Sequence, residues 1–436
     1  MSEEQVGLPE SVSMAVGGMV GGGIFAVLGV VAGAAGTLAW FAFVVAGLIA
    51  ACAGYSFNRL NDLTEEPSGP IAFVERFTGR TKLAGMVGWT FIFGYVGTMA
   101  MYAYAFGGYF TELVSVHAVG GVPLRPLVSV VAVGTFVGLN AAGAHASGRT
   151  EDVLVALKVA ILAVFGLGGL YYGFTHGRIE SGLAQFGVGP LVAAAISFVA
   201  FEGWELLMFD QDSIEDPQDT VRTAIYVSIA TATALYVVVA VVTTNLVAAS
   251  AIRAHAETAL AIAARPFLGQ IGFVLIALAA LFSTGSAINA TLFSASRLST
   301  HLATEDYLPD AIERGGDDPV RALLVLGGLT AAFTFFGSLD GITSFASLAF
   351  ISIFGLVSAL AFRERGDSLA TAAVPLGGVA GSAATVVALL WHLYDAEPGV
   401  FETVVVIAAA VVAVELLYFD REPIVDELQQ VEDAVR

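Results

Sequence analysis

One cysteine, Cys52, stands among the 436 residues, and a single thiol excludes an intramolecular disulfide, a zinc cluster and a dithiol redox pair. Charge is scarce as well, at 13% of the side chains, against roughly 25% in an ordinary soluble domain. A soluble chain of this length needs more polar residues to cover its surface. Lysine occurs twice, at Lys82 and Lys158, and Lys plus Arg number 18 against 38 Asp plus Glu, a net charge of −20. That balance excludes a basic nucleic-acid binder. What is plentiful is apolar: 57% of the residues are hydrophobic and the mean hydropathy is +0.82. The chain therefore reads as a polytopic membrane protein, with the lipid bilayer as its solvent and with few charges, each of them informative.

A hydrocarbon core of ~30 Å takes ~20 apolar residues per helix. Such runs fall near 13–32, 36–57, 84–111, 126–142, 153–173, 190–209, 223–249, 268–294, 321–337, 341–362, 371–393 and 401–419, an all-α plan of twelve transmembrane helices. Residues 1–12 precede them and an acidic tail, 420–436, follows. The first run is too long and Gly-rich, and its flank Ser2-Glu3-Glu4 too acidic, for a cleavable signal peptide. Lys and Arg in short loops set orientation. With the N-terminus cytoplasmic, thirteen basic residues lie inside and four outside, the latter being Arg125, Arg178, Arg253 and Arg265, which places both termini in the cytoplasm. On the same map 28 of the 38 acids are inside, a surplus there of 15 negative charges. An acid-rich, lysine-poor face suits a salt-saturated cytosol, where ions screen crowded like charges. A salt-accumulating, halophilic source is the expectation, and a merely acidic protein the plainer alternative.

Two spans carry residues that helices in lipid avoid. The first contains Gly17-Gly18-Met19-Val20-Gly21-Gly22-Gly23-Ile24-Phe25. Each glycine costs ~1 kcal/mol relative to alanine, so a helix comes apart most readily here. Unwound backbone at membrane depth must line a cavity or meet a ligand, and a half-helix N-terminus there attracts a carboxylate. Close helix packing through Gly17 and Gly21 explains the same spacing equally well. The sixth span reads Ser197-Phe198-Val199-Ala200-Phe201-Glu202-Gly203-Trp204-Glu205. A charge at the bilayer centre costs ~2.5–3.5 kcal/mol on insertion scales and needs a partner, water or a proton. A helix end with solvated glutamates accounts for Glu205 more readily than for Glu202. Breaks in the first and sixth of twelve helices, 181 residues apart between Gly22 and Gly203, match an inverted five-plus-five repeat with a midplane site.

Lys158 lies about a turn and a half into the fifth span. A desolvated lysine amine exchanges its proton more readily than one in water, so this group is able to act as a switchable internal cation. Snorkelling to the interface is the competing explanation, and composition alone slightly favours it.

These residues together are similar to a known family. The chain resembles the amino acid–polyamine–organocation transporters, in particular the proton-coupled, sodium-independent amino acid permeases of prokaryotes. Four blocks carry the likeness: Val20 to Phe25; Pro67-Ser68-Gly69-Pro70; Phe198 to Glu205 with Asp216-Pro217 and Arg222 to Ile225; and Ser283 to Thr291 with Ser294 to Leu298. With the acidic surface, a haloarchaeal member is the expectation. The resemblance implies the LeuT-like fold, with one repeat over 13–173, its inverted partner over 190–362 and two further helices over 371–419. It implies that Gly21, Gly22 and Gly23, flanked by Met19 and Ile24, hold a substrate carboxylate. Carbonyls near Val199, Ala200, Glu202 and Gly203 would take its amino group, and Phe198 and Phe201 would occlude it. Lys158 would replace a sodium ion beside the carbonyls of Gly17 and Val20 and the hydroxyls of Ser283, Thr284 or Ser286. Gly22 stands where relatives often carry serine, and Glu202 where many carry an aliphatic residue.

The function so implied is proton-coupled uptake or exchange of amino acids, with an amino acid and a proton as partners and no cofactor, no metal and no enzymatic activity. A monomer or weak homo-oligomer is expected. An amine or polyamine exchanger of the same fold and a non-transporting amino acid sensor are the alternatives. A channel lacks its rings of charge, and an intramembrane enzyme its catalytic constellation.

Overall fold

The computed structural model describes residues 5–64, 69–143, 148–183, 187–305, 307–308 and 320–419. The acidic tail 420–436, residues 1–4 of the N-terminal segment and Pro67-Ser68 lie outside the described residues. The chain is a bundle of helices whose order follows the apolar runs. Helix α1 (Leu8–Gly18) continues through a π-helical turn (Met19–Gly23) into α2 (Ile24–Ala35), and α3 covers Ala39–Asn61. A short α4 (Pro70–Thr78) precedes α5 (Thr81–Val114), then a two-stranded hairpin of β1 (Ala118–Val119) and β2 (Val122–Pro123). Next come α6 (Leu124–Ala141), α7 (Gly148–Thr175), α8 (Gly189–Ser197), α9 (Pro217–Leu246), α10 (Ala249–Ala254) and α11 (Ala259–Thr304). The remainder is α12 (Val320–Phe336), α13 (Leu339–Arg363), α14 (Leu369–Ala396) and α15 (Pro398–Phe419).

Among the described residues, nine helical stretches are long and apolar enough to cross a membrane, and Gly189–Phe201 and Val320–Phe336 are shorter apolar helices. The first stretch, Leu8–Asn61, has 54 residues. At 1.5 Å per residue a straight helix of that length would reach roughly 80 Å, far beyond one bilayer. Gly36, with φ of +56°, is where the chain turns back between α2 and α3. Gly269 (φ 62°, ψ −154°) likewise divides α11, so the long apolar portion after it is preceded by a separate helical segment at the bundle's end.

Side-chain distribution matches an apolar solvent. Phe282 on α11, Trp391 on α14, and Val406 and Leu417 on α15 are all more than three-fifths exposed. On a soluble protein such a surface would drive aggregation, whereas here it faces acyl chains. Buried hydroxyls turn inward on their own helices: Thr98 donates to the Gly94 carbonyl, Thr284 to Ala280, Ser299 to Ala295 and Thr385 to Gly381. That spacing of four satisfies a side chain that lipid would leave without a partner. The centre is filled by aromatic rings, with Phe57, Phe198, Trp204 and Phe354 in edge or tilted contact at centroid separations of 5.0–5.5 Å.

Candidate functional site

The two irregular segments differ in kind. In the sixth span, helix α8 stops at Ser197, a 3-10 turn covers Phe198–Phe201, Glu202 is extended (φ −74°, ψ 151°), and Gly203 takes φ of +120°. This is a true break, and it falls within the 190–209 run at the Glu202-Gly203 position where the sequence places it. Its freed backbone groups are met by side chains. Ser347 on α13 donates its hydroxyl to the Ile196 carbonyl at 2.8 Å and accepts from the Val199 amide at 3.1 Å. The carboxylate of Glu205 accepts from the Gly203 amide at 2.7 Å and from the Tyr95 hydroxyl on α5 at 3.2 Å. Glu205 is fully buried, so the competing explanation of a solvated helix end does not hold for it. The physical reason is local: an extended residue followed by a positive-φ glycine leaves an amide that a carboxylate two residues on can cap.

The first segment does not unwind. Gly18, Met19, Gly23 and Ile24 all keep right-handed helical angles, and Met19–Gly23 form a π-helical turn. The glycines widen the helix instead of parting it, contrary to the expected rupture. A π turn is rare and carries altered carbonyl pairing, which makes it a frequent feature of functional sites. Here its carbonyls meet hydroxyls from other helices. Ser283 on α11 donates to the Gly21 carbonyl, with the Val20 carbonyl 3.4 Å away, and Tyr236 on α9 donates to the Met19 carbonyl at 2.6 Å.

The two segments touch. A Cβ added at Gly18 would come within 2.9 Å of the Gly203 Cα, and one at Gly23 within 2.8 Å of the Ala200 Cα, so glycine permits both approaches. Tyr236 bridges them, its hydroxyl lying 2.6 Å from the Met19 carbonyl and 2.9 Å from that of Ala200. The Tyr102 ring on α5 lies over Gly22, where a Cβ would meet it at 2.1 Å. Of the expected substrate residues, Met19, Gly21, Gly22, Gly23, Ile24 and Phe198 to Gly203 therefore gather around one buried junction. Phe198 and Phe201 face different neighbours, the first against Phe354 at 5.5 Å and the second against Tyr236 at 5.3 Å. Glu202 is 1% exposed, and its Oε2 has no hydrogen-bond partner among the described residues.

Lys158 on α7 is buried, at 6% exposure, and its Nζ donates to the Ser286 hydroxyl on α11 at 2.6 Å. Ser286 in turn donates to the Ser283 carbonyl at 3.1 Å. Three residues earlier on α7, Val155 packs on Gly17, where a Cβ would meet its side chain at 2.7 Å. Lys158, Ser286, Ser283, Val20 and Gly17 thus share one contact between α7, α11 and the first span. The Thr284 hydroxyl points elsewhere, to Ala280 on its own helix.

Tyr102, Tyr236 and Ser347 went unread in the sequence. Tyrosine in membrane helices concentrates at the interfaces, so one in the middle of the apolar run 232–242 is a usable sign. Tyr236→Phe removes the one donor shared by two buried carbonyls. A loss of about 1–3 kcal/mol follows, expected as a lowered thermal midpoint of the purified chain with its secondary structure intact.

The amino acid permease family profile matches residues 6–388. An uncharacterized protein of Methanocaldococcus jannaschii is 31% identical over 81% of each chain. The inner membrane transport protein YbaT of Escherichia coli is 29% identical over 89% of this chain and 90% of its own. The Asc-type amino acid transporter 1 of Mus musculus is 23% identical over 84% of this chain and 72% of its own. With a family match over most of its length and many apolar helices, the chain belongs to the amino acid permeases of the amino acid–polyamine–organocation superfamily and is a multi-pass membrane transporter of amino acids or related organic cations, not an enzyme.

Proposed function

We propose that this permease accumulates amino acids by alternating access in exchange for the free energy of a proton gradient, without sodium, and that Lys158 carries the coupling proton. One observation supports this above the others: a buried ammonium donates at 2.6 Å to a serine whose helix also holds the carbonyls of the π turn. A charge-assisted hydrogen bond is about twice as strong as a neutral one. Protonated Lys158 therefore ties α7 to α11 and, through Ser283, to the first span; the neutral amine ties them less firmly. The proton shifts the balance between outward- and inward-facing states by its differential affinity for the two. The plan that accompanies this reading is twelve spans in an inverted five-plus-five repeat, both termini cytoplasmic, and a salt-adapted inner face. The substrate carboxylate lies against Gly21 to Gly23 and its amino group against the broken sixth span.

Proteoliposomes given an inward-directed proton gradient should concentrate a neutral amino acid, and a protonophore should abolish the accumulation. Uptake that follows a sodium gradient and ignores pH refutes the coupling.

A second reading has its own support. The unpartnered Oε2 of buried Glu202 offers a hydrogen-bond acceptor where a diamine would place an ammonium. Competition decides between them: a diamine that displaces a neutral amino acid at equal concentration favours an amine exchanger, and one that does not leaves the amino acid reading in place.

A further inference from the structure

At the end of α7, where Tyr171 and Tyr172 mark the level of a membrane interface, a cleft of about 450 Å³ opens between α7, α9 and the first part of α11. Its lining includes Tyr172, Arg178, Val247, Ile262 and Arg265. Two arginines converge here although the chain has 18 basic residues against 38 acidic ones. Both are exposed, and among the described residues neither guanidinium pairs with a carboxylate, unlike Arg222, which reaches Asp62 at 2.7 Å. Each instead leans on an aromatic face: Arg265 stands 4.1 Å from the centroid of Phe273, and Arg178 lies 6.0 Å from that of Tyr172. A guanidinium without a carboxylate partner keeps its N–H edge available, and that edge matches phosphate oxygens in pairs.

The two helices that flank the cleft, α7 and α11, also carry exposed apolar side chains. On α7, Leu167, Tyr171 and Phe174 are each about two-thirds or more exposed at helical spacing, and on α11 Ile271, Leu275 and Phe282 are more than half exposed. Phe267, two residues after Arg265, packs α11 against α7, 5.7 Å from Phe165 and 6.1 Å from Tyr172. Two arginines in one cleft, on a surface whose flanking helices expose apolar side chains, complement a molecule with an anionic head and long hydrocarbon tails. We infer that this cleft is a binding site for an anionic phospholipid, its phosphate between Arg178 and Arg265 and its acyl chains along α7 and α11.

The test is native mass spectrometry of the purified full-length chain incubated with equimolar phosphatidylglycerol and phosphatidylcholine. Two arginines at an anionic head favour phosphatidylglycerol adducts by about tenfold or more. Arg178→Gln combined with Arg265→Gln should equalise the two lipids, while Arg363→Gln, which removes an arginine paired with Glu364, should leave the preference unchanged. Either single variant should lose part of the preference, which keeps the test decisive if the double variant does not fold. Equal retention of both lipids by the native chain, or an unchanged preference in the double variant, overturns the site. Inorganic phosphate that abolishes the preference while the acyl chains make no difference overturns it in favour of a free-anion site.

Discussion

Lys158→Ala is expected to abolish pH-driven accumulation while leaving a folded transporter that binds substrate. The side chain is buried, and its Nζ reaches Ser286 at 2.6 Å. On the α11 side the substitution leaves the serine contacts in place, because Ser286 keeps its bond to the Ser283 carbonyl and Ser283 keeps its own to the first span. The cavity left by the stem costs about 2–5 kcal/mol by analogy with other large-to-alanine changes, so Lys158→Met is the better-packed companion. Both variants should equilibrate labelled amino acid across a vesicle membrane yet fail to concentrate it, and their flux should lose its dependence on pH. A thermal-shift titration checks that binding survives, since a ligand that binds the folded state raises its stability with concentration. Full accumulation by Lys158→Met would remove the proton from this lysine.

Gly203→Ala carries the largest expected loss of stability. At φ of +120° a side chain is strained whatever space surrounds it, and here the space is also occupied: a Cβ would stand 2.8 Å from both the Cα and the carbonyl carbon of Gly18. Backbone strain of this kind costs about 1–3 kcal/mol, and overpacking against another main chain about 1–3 kcal/mol more. The clash cannot be relieved by a rotamer, because both partners are backbone. The segments must separate, and Tyr236 then loses contact with one of the two carbonyls it serves. The expected result is little or no monodisperse protein on size exclusion and, where some is recovered, no ligand-induced thermal shift. Gly33→Ala is the control, since a Cβ there meets nothing within 4 Å. Equal thermal midpoints for the two variants would contradict the proximity of the first and sixth spans.

The broken sixth span was legible because its residues conflict with their setting: Glu202, Gly203 and Glu205 within an apolar run have no ordinary place in lipid. Lys158 was legible by rarity, as one of two lysines. The first span was misjudged for a reason that lies outside it. Five glycines show that a helix is weak, but whether it unwinds or widens depends on what receives its carbonyls. Those receivers, Ser283 and Tyr236, sit more than 200 residues further along the chain. The burial of Glu205 is hidden from local pattern for a related reason. A partner at Tyr95, on another helix, turns an apparent interfacial carboxylate into a buried one. Local pattern reveals where a helix is under stress, and tertiary partners decide how the stress is resolved.

A tyrosine hydroxyl owns a single proton, so the close contacts of Tyr236 with Met19 and Ala200 hold one full bond between them at any instant. Any movement that parts the two segments lets the hydroxyl follow either one, so the number of bonds it makes does not fall. The enthalpy of that first step is nearly level on both sides. Tyr236 thus works as a swivel, joining the segments at rest while adding little to the barrier for separating them.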